Sequence, residues 1–349
     1  MDGIFNIYKE KGIVQADETT AIISDAKAGL GQVVIDGDTY EAGKVNMKAY
    51  LGMSVEFYYK DMRGDYVCLY AEPYGNEILT IDSENILNVG QDFKIEYDTG
   101  TRTKTLDMNR SENISIIYNG KRCTNISYDE LKVECGGLTF IDNNRDGKYD
   151  VLIVESYATY VVKGVDTKNN TIVDYVSRNI IDFDKYDECV MSDDGSKFDI
   201  LKLSEYDVLN VAASKDSEYA KIIITSDKVN GNIKSKSEDE VKVGDDVYDF
   251  SVFWKNREGN SGFEIKMDSV NKLLLNYKGE ICYSITSLSS SRYGIICRVS
   301  YDDAEDCVYV KLFDREEEML KLEAAEKIKI DSTTYKREAR YLKMNEMMT

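Results

Sequence analysis

The feature that most constrains this chain is an alternation of apolar and polar residues with a period of two, cut at short intervals by turn residues. It is clear in Ser54-Val55-Glu56-Phe57, Lys94-Ile95-Glu96-Tyr97, Val308-Tyr309-Val310-Lys311-Leu312 and Lys327-Ile328-Lys329-Ile330. Only an extended strand places successive side chains on opposite faces in that way. Tyr, Val, Ile and Thr fill the pattern, and these residues suit a pleated, half-buried surface. One phrase returns three times: Val33 to Tyr40 (VVIDGDTY), Val241 to Tyr248 (VKVGDDVY) and Ile328 to Tyr335 (IKIDSTTY). Each reads as a strand, a tight turn and a second strand with Tyr at the same place. A looser copy, Ile114 to Lys121, supplies the strand and an Asn119-Gly120 turn but no closing Tyr. A lone hairpin cannot bury its apolar face, so each must close with neighbouring strands. The expected fold is mainly β: tandem small β-barrel or sandwich modules with few short helices.

Proline occurs once, at Pro73, and no Gly/Ser-rich or Pro-rich linker separates the strands, so the modules must abut. Repeat positions and turn clusters place five of them at residues 1–90, 91–158, 159–228, 229–288 and 289–349. Helix is expected over Asn46 to Leu51, over Tyr128 to Leu131 behind Ser127, and in a short turn from Leu203 to Tyr206. In a fourth segment, Arg315 to Lys327, Asp314 is placed to cap and Glu316, Glu317 and Glu318 favour a helix N-terminus. That segment reads equally as a loop crossing a barrel end.

Lys plus Arg number 44 against 64 for Asp plus Glu, a net charge of −20. Such a surface repels phosphate backbones and anionic lipid, which argues against nucleic acid as a partner. The absence of histidine removes the usual general base, the Ser-His and Cys-His pairs and most zinc sites together. Paired carboxylates can run glycosidase chemistry, but nothing in the sequence singles out a pair. Neither G-x-G-x-x-G nor G-x-x-x-x-G-K-[ST] occurs, so no phosphate cradle is indicated. Cys68, Cys123, Cys135, Cys189, Cys282, Cys297 and Cys307 are odd in number, scattered and without a C-x-x-C pair. They are expected to be reduced, as small apolar side chains. The opening residues, MDGIFNIYKEKGIVQAD, contain no apolar signal core and no stretch reaches 18 apolar residues. The expectation is a non-enzymatic product of the cytoplasm, not inserted in a membrane.

One stretch carries a candidate site. Gly137 to Val162 opens apolar, breaks into polar turn residues and resumes as a β-branched run, the pattern of a hairpin. Its turn sets Asp142, Asn144, Asp146 and Asp150 around Gly147 in the order D-x-[DN]-x-D-G-x-x-D, which can wrap oxygen ligands, the Lys148 carbonyl among them, round calcium. Position twelve of an EF-hand would be Ile153, so no EF-hand is completed. Asp, Asn and Gly are also the residues that a tight turn selects unaided. Calcium at this turn is the one candidate cofactor.

The run Asp142 to Tyr157, with Tyr160-Val161-Val162 and Val165-Asp166 behind it, resembles a recurring segment of the large Clostridia-type cell-surface proteins that carry S-layer homology domains. Tyr50 to Tyr59 with Ile81 to Ile86, and Asp207 to Ala212 with Ser214-Lys215-Asp216, resemble the same proteins in the same order. The resemblance spans most of the chain and implies β modules of an envelope protein. It includes no catalytic signature, and the wall-binding S-layer homology domains themselves are not visible. Envelope-type modules with a plain Met start, no export signal and free thiols are expected of a phage virion component, in a tail or baseplate, assembled with protein partners in the cytoplasm of a Gram-positive host. A fragment of an exported S-layer-type protein at the cell surface is the alternative. A carbohydrate-binding module is a third reading, and exposed aromatics on a β face would favour it.

Overall fold

The computed structural model describes residues 6–111, 113–191, 195–265, 270–285, 294–302, 307–314, 319–324, 327–330, 333–336 and 338–346. They form two compact units, Met1–Thr286 and Ser287–Thr349, and the fold is mainly β.

The first unit opens with a closed five-stranded barrel of strands Ile7–Asp17, Gln32–Ile35, Asp38–Glu41, Ser54–Asp61 and Tyr66–Pro73, in the order one-two-three-five-four. Strand three meets strand five in parallel at Glu41 and Val67, and a 3-10 helix, Met47–Tyr50, leads into strand four. This is the five-stranded Greek-key plan of the OB-fold. Closure depends on strand one. Its first half, Ile7 to Ile13, pairs with strand four, the ladder shifts between Val14 and Ala16, and its second half pairs with strand two. A bulge bends and twists a strand, so one strand can serve both walls of a small barrel.

The same wiring recurs three times as open barrels. In barrel two, strand one is split into Glu77–Asp82, paired with strand four (Gly136–Asp142), and Ile86–Val89, paired with strand two (Lys94–Asp98). Strand three is also split, and its second part, Ser115–Tyr118, runs parallel to strand five, Val151–Ser156. The turn spacing had placed Glu77–Asp82 with the first module; its ladder partner lies some way down the chain. Barrel three runs from Ala158–Asp166, bulged between Val162 and Gly164, to Tyr219–Thr225, which pairs in parallel with Glu188–Met191. Barrel four runs from Lys228–Lys236, bulged between Ile233 and Ser235, to Ile281–Ser284, with a parallel bridge from Phe250 to Ile281. In each barrel a short helix precedes strand four: Tyr128–Leu131, Ile200–Lys202 and Val252–Lys255 in barrels two to four. The hairpin expected at Gly137 to Val162 is present, with Leu138 opposite Val154 and Phe140 opposite Leu152. Its β-branched run is divided at Tyr157, where the chain passes from barrel two to barrel three.

The strands of the threefold phrase pair in the same register each time: Val33 with Tyr40, Val241 with Tyr248 and Ile328 with Tyr335. In the first copy Asp36 and Gly37 both have positive φ, 47° and 90°, as a type I′ hairpin requires. Tyr40 is turned inward, edge-on to Phe57 at 5.1 Å. The third copy belongs to the second unit, which also holds a three-stranded sheet, Gly294–Asp302, Cys307–Asp314 and Met319–Glu323, and a helix, Glu338–Glu346.

The helix expected from Arg315 to Lys327 is corrected. Residues 315–318 lie outside the described residues; beyond them Met319–Glu323 is a strand paired with Cys307–Asp314, and Lys327 opens another. Leu320-Lys321-Leu322 keeps a period of two, and a short helix without tertiary support is marginal against a waiting strand edge. The turn expected at Leu203 to Tyr206 is a helix three residues earlier, capped by Asp199, whose carboxylate accepts from Leu201 N.

Gly136 shows how closely strands four and five of barrel two approach each other. Its φ is +117°, and a Cβ there would lie 2.0 Å from the Glu155 carbonyl oxygen. Gly136→Ala should destabilise the protein by more than about 2 kcal/mol in a urea titration, through backbone strain and the clash together.

Candidate functional site

The turn from Asp142 to Asp150 joins strands four and five of barrel two. Asp142, 2% exposed, organises it: Oδ1 accepts from the backbone N–H groups of Asn144 and Arg145 (3.2 and 2.6 Å), and Oδ2 accepts from Gly147 (2.9 Å). Asn144 Oδ1 accepts from Asp146 N, Asp146 Oδ1 from Lys148 N, and Asp150 Oδ2 from Asn143 N. All four predicted residues therefore sit on one turn, and each receives a backbone N–H, the way Asx turns are built. Burial pushes the Asp150 carboxyl above its ordinary range against the Asn143 hydrogen bond, and the charges of Asp142 and Asp146 add to the rise. These are the side chains that a hard cation would hold. Among the described residues, no three acidic or thiol side chains converge as a metal site.

The turn also fastens barrel two to barrel one. Asn143 donates from Nδ2 to the Gly52 carbonyl (3.1 Å) in a buried contact, and Ile117, Ile141 and Val151 join the apolar cluster of Met47, Leu51 and Phe57. The spacing of acidic residues did not single out Asn143, because it occupies a non-ligand position in the motif.

The corresponding turns of barrels three and four are fastened in the same manner. Lys215, in the turn Ser214 to Glu218, donates to the Asn125 carbonyl (2.6 Å) and to Glu130 (2.9 Å) of barrel two. Tyr277, in the turn Asn276 to Glu280, packs on Tyr157 with ring centroids 5.3 Å apart, in a cluster with Cys135 and Ala212. Lys278 meets Glu84 at 2.7 Å; burial lowers the lysine pKa, and the hydrogen bond and charge of Glu84 outweigh it, so the ammonium is held raised. Arg257 of barrel four reaches both oxygens of Glu134 (3.2 and 3.0 Å). A further joint is made by Asn119, 5% exposed. It accepts from Ser156 N (2.7 Å) and donates to the carbonyls of Ser156 (3.0 Å) and Ala213 (2.8 Å), which ties barrel two to barrel three.

A surface cleft of about 280 Å³ lies against Tyr118, Lys121, Arg122, Cys123 and Lys215, just under the usual size of a small-molecule site. None of the seven cysteines forms a disulfide. Burial pushes the thiols of Cys68 and Cys189 up to about 11 and that of Cys135 up to about 12, which keeps them from acting as nucleophiles near neutral pH. Among the described residues no helix is long and apolar enough to cross a membrane. No protein-family model matches the chain, and no curated protein matches it.

Asp142 and Asp146 should separate sharply on substitution. Asp142→Ala removes the buried acceptor of three backbone N–H groups at once and should cost about 2 kcal/mol or more. Asp146→Ala, on an exposed residue, should cost under about 1 kcal/mol in chelator. Thermal melts of the parent and of Asp146→Ala, each in chelator and in millimolar calcium, test the cation: a calcium-dependent rise in the parent alone would assign it to this turn.

Proposed function

We propose that this chain is a non-enzymatic structural protein with a fixed place in a larger protein assembly, and that the assembly is a phage virion, in its tail or baseplate. The observation that carries this reading is the locking of successive barrels through desolvated junctions. Neighbouring domains ordinarily move against one another unless a large or well-satisfied interface prevents it. Here Asn119, Asn143, Lys278 and apolar clusters shared between barrels suppress that freedom. A rigid strut needs such joints; a hydrolase or ligand carrier needs instead a concave, water-excluding site. Cysteines without disulfides fit assembly in a reducing compartment, which favours the virion over an exported S-layer-type surface protein.

The carbohydrate-binding reading is weaker. Tyr70 and Tyr74 are about half exposed on barrel one. However, Lys11 lies 3.4 Å over the Tyr74 ring and Lys9 lies over the neighbouring Tyr58, so cations already cover faces that a sugar would stack on.

An antibody raised against the chain should label the tail or baseplate of phage particles that carry it, and the chain should turn over neither peptidoglycan nor a panel of polysaccharides. Recovery with the host cell wall and not with purified particles would overturn the virion assignment.

A further inference from the structure

The three-stranded sheet of the second unit has two unlike faces. On one, Val299 and Val310 lie opposite each other and are buried, and Tyr301 stacks on Tyr341 of the helix Glu338–Glu346 at 6.0 Å. The other face is open. There Ile295, Phe313 and Met319 stand side by side across the three strands, 70%, 38% and 57% exposed. The next row along the strands is Arg298, Lys311 and Lys321, all exposed. The ladder shifts between Ile296 and Arg298, and that bulge returns Arg298 to the face of Ile295.

Both rows carry a cost that an occupant would remove. Apolar side chains grouped on a surface and left to water mark an interaction site. Like charges directly opposite on neighbouring strands destabilise a sheet. Among the described residues, none of the three cations has a carboxylate partner, and Lys321 lies over the Tyr309 ring at 4.3 Å. In a chain with 64 acidic residues against 44 basic ones, three cations are thus aligned where they repel one another, beside apolar side chains in water. The charge complement of this face is acidic, and its neighbouring stripe must be apolar.

Spacing selects the form of the occupant. Neighbouring strands lie about 4.8 Å apart, so the three cations span about 10 Å. Residues i and i+7 of a helix are about 10.5 Å apart, with i+3 or i+4 between them on the same face. Three same-face residues of a strand would span about 13 Å. An anionic bilayer would set a continuous plane of charge against a chain of net charge −20, whereas one helix meets only the two rows. We propose that this face docks an acidic amphipathic helix of another protein of the assembly, laid across the strands with carboxylates over Arg298, Lys311 and Lys321 and apolar side chains over Ile295, Phe313 and Met319. The inference rests on the reading of the chain as an assembly component and names the chemistry of its partner.

The test is a fluorescence-polarisation titration of the full chain with a synthetic helical peptide that carries one stripe of leucine and, beside it, glutamates at i, i+3 and i+7. Lysine replaces glutamate in its counterpart. The parent should bind the glutamate peptide. Lys311→Glu should weaken that binding by about tenfold or more, as at interface hot spots, and binding of the lysine counterpart should not fall. The same substitution sets a carboxylate between two cations, so the variant should melt at or above the parent's temperature. Ile295→Thr, which keeps a β-branched residue in the strand, should weaken binding severalfold. No binding of the glutamate peptide, or binding that ignores Lys311→Glu, would overturn the proposal. Binding of phosphatidylserine-containing vesicles that Lys311→Glu abolishes would overturn it in favour of a lipid surface, and self-association in sedimentation lost with that substitution would overturn it in favour of a second copy. The labelling of particles decides the assembly role separately.

Discussion

Asn119 is the residue on which the arrangement of barrels most depends. It stands at a position of positive φ (47°) followed by Gly120 (82°), which only a few residue types accept without strain. Its amide then satisfies one N–H and two carbonyls, one of them in the next barrel. A buried backbone group left unpaired costs about 1–3 kcal/mol, so one side chain fixes both a tight turn and the position of barrel three. The larger apolar clusters supply most of the burial but are tolerant of shape. The hydrogen-bonded joint supplies the direction.

The wiring of the barrels follows from a second constraint, the bend in strand one. In barrels one, three and four the bulge falls where strand one passes from pairing with strand four to pairing with strand two. In barrel two the turn Ser83–Asn85 does the same work. A small barrel has too few strands to curve gradually, so the change of direction is concentrated at one point.

What was legible in the sequence is what is local. Alternation gave the strands, and the two-residue turn with its closing Tyr gave hairpins whose register is identical in all three copies. Ser127 marked the start of its short helix, Tyr128–Leu131, correctly. Partners remote in sequence were not legible. Glu77–Asp82 waits for Gly136–Asp142, and Lys278 pairs with a glutamate 194 residues away. The looser fourth copy lacks its Tyr because it serves another place: its Asn-Gly turn lies at the end of strand three and forms the joint. The Asp/Asn turn was found by spacing, but its docking role resides in Asn143, a residue that no ligand pattern marks.

Hydrogen exchange of the full chain carrying Asn119→Ala tests the joint most directly, since exchange reports local opening strand by strand. If the junction couples the barrels, protection should fall in Val151–Ser156 of barrel two and also in Val208–Ala213 of barrel three. Loss confined to barrel two, with barrel three exchanging as in the parent, would contradict the account.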